Sequence, residues 1–206
     1  MPTYNNLHSG EAGDSVRFDV TTHPAFQNLN RTDQHAARIA QAVIQLFARE
    51  GWLDLNTTKR ILDFGAGSGG PTLALVAMAE SNGGSVEAVE QEQTSRLIAE
   101  RGIVVGDRLH TGDGLAFLGA TEQVGRFNLI TAFMLGPDPE GRLSGELLTA
   151  ARQALAPGGQ LLMTSDIQTV PAFQEACRQQ WIGFNATPLS FTEEVGSLPQ
   201  AVLASF

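Results

Sequence analysis

A glycine-rich loop between an apolar run and a helical pattern is the feature that most constrains this chain. Residues 60–80 read RILDFGAGSGGPTLALVAMAE. The apolar run Ile61–Phe64 predicts a short strand. The segment Pro71–Glu80 predicts a helix that begins with proline, where a missing N–H leaves no helical hydrogen bond unmade. Four of the six residues Gly65–Gly70, which we call the glycine loop, are glycine. Because glycine has no side chain, this loop predicts a close contact of its backbone with a ligand or with another part of the chain.

Short apolar runs and helical patterns alternate through the rest of the chain. The predicted helices are Thr32–Glu50, Pro71–Glu80, Glu92–Arg101, Leu115–Gly119, Leu143–Leu155 and Val170–Gln180. The predicted strands are Ile61–Phe64, Ser85–Glu90, Arg108–Thr111, Phe127–Phe133 and Gly159–Ser165, followed by β-like runs near Trp181–Leu189 and Ala201–Phe206. Strands that alternate with helices of this length predict βαβ units and a mainly parallel sheet.

The domain organisation follows from the length and from the first part of the chain. At 206 residues the chain is long enough for one full-sized core and too short for two complete domains. Residues 1–30 have little periodicity and predict a loop-rich arm that could act as a lid. Asn30 predicts the N-cap of the first helix, with Asp33 in a variant of the capping box. We therefore expect an arm over residues 1–30 and a single α/β domain over residues 31–206.

Composition and charge limit the classes of partner. Lys and Arg number 13 against 22 Asp and Glu, the net charge is −9, and Lys59 is the only lysine. Neither nucleic acid nor an anionic membrane attracts a surface of that sign at long range. Cys177 is the single cysteine, which excludes an intramolecular disulfide and fits a reducing compartment. The N-terminus lacks the layout of a signal peptide and no apolar run approaches the ~20 residues that cross a bilayer, so we expect a soluble, cytoplasmic protein.

The glycine spacing matches the pattern G-x-G-x-x-G at Gly65, Gly67 and Gly70, after a strand and at the start of a helix. There the first glycine allows the tight turn, the second lets a ligand touch the backbone, and the helix N-terminus offers free N–H groups. Glu90 ends the second strand 25 residues after Gly65, where a carboxylate bonds a ribose diol in such folds. Two alternatives stay open: glycines that serve only chain packing, and a Glu90 that is only a solvated charge.

Five motifs in order resemble those of the class I S-adenosylmethionine-dependent methyltransferases. LDFGAGSGG (62–70) resembles their motif I, in which an acid stands two residues before a G-x-G-x-G turn. The matching residues are Asp63, Gly65, Gly67 and Gly69. VEAVEQ (86–91) and LHTGDGLAF (109–117) resemble the second and third motifs, with Glu90 and Asp113 as the acids. FNLITAFML (127–135) resembles the fourth strand, and ARQALAPGGQLLMTS (151–165) resembles the helix, turn and strand after it.

The resemblance, which runs from about residue 33 to residue 206, implies a fold, a cofactor and a set of binding residues. The fold would be a doubly wound, Rossmann-like α/β sandwich whose seven-stranded, mainly parallel sheet has an antiparallel last strand. The cofactor would be S-adenosyl-L-methionine, with S-adenosyl-L-homocysteine as the product. The residues that would bind it are Asp63, Gly65, Ala66, Gly67, Gly69, Glu90, Gln91, Asp113, Gly114 and Phe133.

Three acids have separate roles in this interpretation. Glu90 would accept from both ribose hydroxyls, Asp113 would accept from the adenine amino group, and Asp63 would orient the methionine ammonium through water or backbone. A dinucleotide would be poorly served by a carboxylate as close to its phosphates as Asp63. Two alternatives stay open, with Asp63 as a local turn cap and Asp113 as the N-cap of the following helical turn.

Two positions depart from the family pattern. Asn128 stands in the fourth strand where the family usually has an acid. That strand continues into AFMLGPDPEG (132–141) instead of the Asn-Pro-Pro-aromatic box of nucleic-acid and protein amide N-methyltransferases, which disfavours a DNA base as substrate. Phe133–Leu135 and Asp166–Ile167 do not reproduce the acidic set of the metal-assisted members, so we expect no metal.

The acceptor side is predicted from position. Ligands of such sheets bind outside the carboxyl ends of the strands, where the strand order reverses, so we expect Phe133, Met134 and Asp166 to line the substrate pocket. Asp166 and His23 are the candidates for a general base, against a helix cap for Asp166 and an exposed loop position for His23. We expect methyl transfer to an oxygen or nitrogen of a small molecule. The alternatives are a protein acceptor, a protein that binds the cofactor without transfer, and an NAD(P)-dependent oxidoreductase.

Overall fold

The computed structural model describes residues 18–104, 106–135, 142–165, 169–188 and 200–206. In these residues the helices are α1 (Arg31–Arg49), α2 (Gly70–Asn82), α3 (Glu92–Glu100), α4 (Gly114–Gly119), α5 (Arg142–Ala154) and α6 (Thr169–Gln179). The strands are β1 (Arg60–Phe64), β2 (Ser85–Glu90), β3 (Leu109–Thr111), β4 (Phe127–Leu135), β5 (Leu155–Ser165), β6 (Gly183–Pro188) and β7 (Gln200–Ser205). Each predicted helix and strand has a counterpart here, displaced by no more than a few residues at its ends.

A seven-stranded sheet in the order β3-β2-β1-β4-β5-β7-β6 organises the described chain. Strand β1 pairs in parallel with β2 and β4, and the parallel pairing continues to β3 on one side and to β5 on the other. Strand β7 runs antiparallel to both β5 and β6. The order of the strands along the chain reverses between β1 and β4. The structure therefore confirms the predicted doubly wound, Rossmann-like sheet with an antiparallel last strand.

Helices cover both faces of this sheet. Side chains of α1, α2 and α3, such as Leu75, pack in one core cluster, and side chains of α4, α5 and α6, such as Phe173, pack in a second. Ile61 and Leu62, which are adjacent in β1, belong to opposite clusters. Because strands of a parallel sheet are covered on both faces, they read as continuous apolar runs, which explains why β1 does not alternate in sequence.

Helix α1 begins with the predicted cap. The Asn30 Oδ1 accepts a hydrogen bond from the Asp33 N–H at 2.9 Å, which satisfies one of the free donors of the first helical turn. The buried residues of α1 recur at helical spacing and form its contact with the core. They include Ala37, Ala40, Val43, Ile44 and Phe47. The predicted cap is confirmed.

The described part of the arm, residues 18–30, packs into the domain. It forms two short 3-10 helices, Val20–Thr22 and Pro24–Asn28. Val20 and Phe26 are buried in the core cluster that also contains side chains of α1, α2 and α3, which we call the α1–α3 cluster. The Val20 N–H donates to the Gln41 Oε1 of α1 at 2.7 Å. Residues 18–30 therefore pack against α1 and its neighbours, and the boundary at residue 30 and the lid role of the arm stay predictions. Residues 1–17 lie outside the described chain.

Two details of β4 and β5 differ from expectation. Leu155 was predicted to end α5, but it opens β5, where it is paired with Phe127 before the register shifts at the APGG turn (156–159). The side chain of Asn128 has a structural contact, since its Oδ1 accepts from the N–H groups of Lys59 and Arg60 at 3.2 and 3.0 Å. Asn128, which stands where the resembled family usually has an acid, thus joins β4 to the start of β1 through its side-chain oxygen.

No helix among the described residues has the length and apolar character needed to cross a bilayer.

Candidate functional site

A cleft of about 390 Å³ opens at the carboxyl ends of the first three strands. Its lining residues are Phe64, Gly65, Val89, Glu90, Gln91, Gly112, Asp113 and Gly114. Since the carboxyl ends of parallel strands meet at one edge, residues that are distant in sequence come together there. Five of the predicted cofactor-binding residues line this cleft, namely Gly65, Glu90, Gln91, Asp113 and Gly114.

The first half of the glycine loop needs glycine for its backbone conformation. Gly65 and Gly67 have φ angles of 67° and 53°, in the left-handed region that glycine adopts without a steric penalty. A Cβ atom on Gly67 would meet nothing within 4 Å, so the constraint there is conformational rather than steric. This part of the loop is open to an approaching group, as the sequence predicts.

The second half of the glycine loop needs glycine for packing. A Cβ on Gly69 would stand 2.6 Å from the Ile103 Cδ1, and a Cβ on Gly70 would stand 2.6 Å from the Asp33 carbonyl oxygen. These glycines let the start of α2 lie directly against α1 and the segment after α3. The packing alternative raised by the sequence therefore holds for Gly69 and Gly70.

Glu90 joins the end of β2 to the glycine loop. Its Oε2 accepts from the Gly67 N–H and its Oε1 from the Gln91 N–H, each at 2.7 Å. The side chain is half-buried and lines the cleft. Each carboxylate oxygen offers two lone pairs, so both keep capacity for a ligand hydroxyl. The carboxylate is thus held in place at the position predicted for the ribose acid.

Asp63 lies behind the loop and not in the cleft. Its side chain is 1% exposed, and its two oxygens accept from the hydroxyls of Thr72 and Thr131, each at 2.7 Å. Burial raises the pKa of Asp63 from 3.8 to about 6, the two hydroxyl hydrogen bonds oppose that rise, and the charge of Glu90 adds to it. Asp63 therefore joins β1 to α2 and β4. A role in orienting an ammonium group stays a prediction.

Asp113 caps a helix and lines the cleft at the same time. Its Oδ1 accepts from the N–H groups of Leu115 and Ala116 at 2.9 and 3.3 Å, at the start of α4. The next residue, Gly114, lies so close to Phe64 that a Cβ would stand 2.6 Å from the ring. The N-cap alternative is therefore correct, and it leaves the second carboxylate oxygen of Asp113 without a capping role.

The remaining predicted cofactor residues are buried. Ala66 is buried in the α1–α3 cluster, and its N–H is 3.4 Å from the Val89 carbonyl oxygen. Phe133 is buried in the same cluster near the carboxyl end of β4 and is not among the residues that line the cleft. Met134 belongs to β4, but its side chain lies outside the described part of the structure, and so does the whole of Asp166.

The structure does not bring His23 to the cleft. Its Nδ1 accepts from the Ala25 N–H at 3.1 Å, and its Nε2 lies 3.4 Å from the Glu80 Oε2. Glu80 is ten residues along α2 from Gly70, about 15 Å at the rise of an α-helix. His23 therefore caps a 3-10 helix at the far end of α2, and this placement argues against its role as a general base.

The sequence reasoning missed three lining residues, Phe64, Val89 and Gly112. Phe64 and Val89 are the last apolar residues before the glycine loop and before Glu90, so their position at the ends of β1 and β2 was a usable signal. Gly112 has a φ angle of 142°, and its place directly before Asp113 was a second one. Among the described residues no group of three His, Cys, Asp or Glu could hold a metal ion, and the expectation of a metal-free site stays a prediction.

Comparisons with known proteins give structural matches only. No family model and no curated protein matches this sequence. A S-adenosylmethionine-dependent O-methyltransferase from Thermotoga maritima has a TM-score of 0.60 at 18% identity, over 80% of this chain and 64% of that chain. A S-adenosylmethionine-dependent methyltransferase from Archaeoglobus fulgidus has a TM-score of 0.59 at 13% identity, over 81% and 94%. The O-methyltransferase TomG from Streptomyces achromogenes, solved with S-adenosylmethionine, has a TM-score of 0.55 at 15% identity, over 86% and 90%.

Because the sequence identities are only 13–18%, the likeness to these solved structures establishes the fold of the chain. This chain has the fold of the S-adenosylmethionine-dependent methyltransferases, in the class I form that its motifs resemble. The lining of the cleft is compatible with a nucleoside, because the carboxylates of Glu90 and Asp113 can accept hydrogen bonds from hydroxyl and amino groups. None of the residues that line the cleft is basic, so nothing in the lining would neutralise a pyrophosphate.

Proposed function

We propose that the protein is a S-adenosylmethionine-dependent methyltransferase that acts on an oxygen or nitrogen of a small molecule. The observation that carries the proposal is the pairing of Glu90 and Asp113 in one cleft, opposite a glycine turn and without a lining cation. Those features match a nucleoside that has hydroxyl and amino donors and no phosphate groups better than they match a dinucleotide. They therefore support this cofactor over NAD(P). The volume of about 390 Å³ lies within the usual range of ligand pockets.

When bound, the cofactor would supply a methyl group on a sulfonium centre, whose leaving thioether needs little assistance. The protein's task is then to hold the acceptor in line, at about 3–3.5 Å, and to exclude water. A general base is needed only for an acceptor that arrives protonated. Glu90 and Asp113 serve binding in this scheme, and the glycine loop supplies backbone that a ligand can approach.

The acceptor class is inferred from charge and from the structural matches. The net charge of −9 works against nucleic acid and anionic membranes as partners, which favours a small molecule. Two of the structural matches are named O-methyltransferases, which is consistent with transfer to oxygen in this chain. Phe133, Met134 and Asp166 stay our candidates for the acceptor side, because the first two are near the end of β4 and Asp166 follows the last residue of β5 in sequence.

Thermal unfolding with four ligands in parallel tests this proposal. The ligands are S-adenosylmethionine, S-adenosylhomocysteine, NAD and NADP, each measured with the wild type, Glu90→Ala and the control Glu92→Ala, which changes an exposed carboxylate two residues away. A ligand at about 100 times its Kd stabilises by about 2.7 kcal/mol, which raises Tm by roughly 5–10 °C in a domain of this size.

We expect the two sulfur nucleosides to raise the Tm of the wild type and of Glu92→Ala, and to have little effect on Glu90→Ala. A Tm rise with NAD or NADP instead would show that the cleft binds a nucleotide cofactor and that our choice of S-adenosylmethionine is wrong. If the sulfur nucleosides raise Tm but a broad screen of small acceptors gives no methylated product, the transferase activity is refuted while cofactor binding stands.

A further inference from the structure

A buried ion pair lies directly behind the glycine loop. Asp33, in the first turn of α1, and Arg101, which follows α3, are 68 residues apart in sequence, and the Arg101 Nη1 stands 2.7 Å from the Asp33 Oδ2. Their side chains are 9% and 15% exposed. The Asn30 Nδ2 also donates to the Asp33 Oδ2 at 2.7 Å. Both charges are therefore paired and hydrogen-bonded, as buried charges must be.

Ser68, between Gly67 and Gly69, is bound by both members of this pair. The Ser68 hydroxyl donates to the Asp33 Oδ1, and the Ser68 carbonyl oxygen accepts from the Arg101 Nη1. The side chain and the main chain of one loop residue are thus held at the same time. On the opposite side of the loop, the Gly67 N–H donates to Glu90.

The glycine loop needs such a constraint because of its own composition. Gly65, Gly67 and Gly69 all have left-handed φ angles, and glycine populates left- and right-handed conformations about equally. A loop of this kind would sample many conformations if it were free, and only a fraction of them would match a ligand. When the competent conformation is only partly populated, the apparent affinity falls by that fraction.

We propose that Asp33, Ser68 and Arg101 form a latch that holds the glycine loop in its ligand-ready conformation and thereby sets the affinity for the cofactor. The latch residues are positioning residues, since they act through the loop from the side facing away from the cleft. The inference rests on the proposed function for the identity of the ligand. Its structural part, the restraint of the loop, does not depend on any ligand.

The chain offers a matched control for the latch. Glu87 in β2 forms an ion pair of similar geometry, with the Arg126 Nη2 at 2.6 Å and the His110 Nε2 at 2.8 Å, and its side chain is 13% exposed. None of the bonds that Glu87 makes reaches the glycine loop. Asp33→Asn and Glu87→Gln therefore remove the same charge from similar ion pairs, and only the first touches the latch.

Two measurements on the wild type, Asp33→Asn, Ser68→Ala and Glu87→Gln test the latch. The first is the Kd for S-adenosylhomocysteine by titration calorimetry, at a temperature where every variant is folded. The second is amide hydrogen exchange at Gly67 and Gly69 in the ligand-free protein, where both N–H groups are hydrogen-bonded. We expect Asp33→Asn and Ser68→Ala to raise Kd at least tenfold and to speed exchange at both amides. We expect Glu87→Gln to change neither, even if it lowers Tm.

Kd values within twofold of the wild type, together with unchanged exchange in Ser68→Ala, would overturn the latch. Should Asp33→Asn fail to fold, Ser68→Ala still decides, because it removes one hydroxyl from a half-buried loop residue. If the wild type does not bind S-adenosylhomocysteine at all, the proposed function is overturned, and the claim about cofactor affinity falls with it. Faster exchange in Ser68→Ala would in that case still support the restraint of the loop.

Discussion

Glu90 at the end of β2 and Gly67 in the glycine loop are bonded to each other, with the Gly67 N–H 2.7 Å from the Glu90 Oε2. The contact spans 23 residues of sequence and connects the ends of the two neighbouring strands β1 and β2. The acid expected to hold a ribose therefore also holds the turn beside it. A change at Glu90 therefore removes a loop contact and, under the proposed function, a ligand contact as well.

We expect Glu90→Gln to raise the Kd for S-adenosylhomocysteine by about 10–100-fold. A hydrogen bond to a charged group contributes about 1.5–3 kcal/mol, which converts to that range of affinity. In the wild type the N–H groups of Gly67 and Gln91 each donate to one carboxylate oxygen of Glu90. In Glu90→Gln one of these two N–H groups would face the side-chain NH2 group, which is a donor and not an acceptor. Titration calorimetry of Glu90→Gln beside Glu92→Gln checks this, and equal Kd values in the two variants would contradict it.

The buried carboxyl of Asp63 predicts a pH dependence of stability. Its pKa is raised from 3.8 to about 6 in the folded protein, so the folded state binds the proton more tightly than the unfolded state. The stabilisation is fully present below about pH 4 and is lost as pH rises through about 6. A shift of this size corresponds to about 3 kcal/mol.

Urea denaturation of the wild type and Asp63→Asn from about pH 4 to about pH 7 measures this contribution. We expect the unfolding free energy of the wild type to fall by about 2 kcal/mol relative to Asp63→Asn across that range, because part of the full effect is already lost at pH 4. Asp54→Asn, at an exposed turn, controls for the substitution itself. A difference between wild type and Asp63→Asn that does not vary with pH would mean that Asp63 is ionised throughout.

Two glycines in helices predict opposite effects of the same substitution. A Cβ on Gly70 would stand 2.6 Å from the backbone oxygen of Asp33, which cannot move without displacing α1. We expect Gly70→Ala to lower the unfolding free energy by about 1–3 kcal/mol. Gly145 in α5 has nothing within 4 Å of the Cβ position, so Gly145→Ala is expected to raise it by about 1 kcal/mol. Denaturant titration of both variants checks the signs, and a destabilising Gly145→Ala would contradict the second.

Trp181 predicts a stabilising substitution at the end of α6. It has a φ angle of 56°, it is 96% exposed, and its N–H donates to the Arg178 carbonyl oxygen while the Ile182 N–H donates to that of Cys177. This is the Schellman arrangement, in which glycine is the favoured residue at the left-handed position. We expect Trp181→Gly to raise the unfolding free energy by about 1 kcal/mol, measured in urea. Lower stability in Trp181→Gly would reveal a packing contribution from the indole.

Local patterns predicted most of the fold. The glycine loop, the Asn30 cap and the alternation of strands with helices depend on residues close in sequence, and the structure has all of them. The packing of residues 18–30 was not predictable in this way. Their backbone is held by side chains such as Gln41 and Gln45, 21 and 27 residues away, and such bonds leave no periodic signal.

Two of the predicted site residues lie together in the structure. Glu90 was predicted from its place at a strand end beside a glycine loop, and Asp113 from the resemblance of LHTGDGLAF to a family motif, and both line the cleft. The position of His23 beside Glu80 was not predictable, because sequence does not say at which end of a helix an arm will pack. The contacts of Asp33 with Ser68 and Arg101 join residues 35 and 68 positions apart, and only the assembled fold brings them together.

Among the residues that the structure describes, those that line the cleft fall between Phe64 and Gly114, a stretch that ends before β4 begins. Because synthesis runs from the N-terminus, this stretch leaves the ribosome before the strands from β4 onward do. A side-chain contact joins β4 to the residue directly before this stretch, since the Thr131 hydroxyl donates to the buried Asp63.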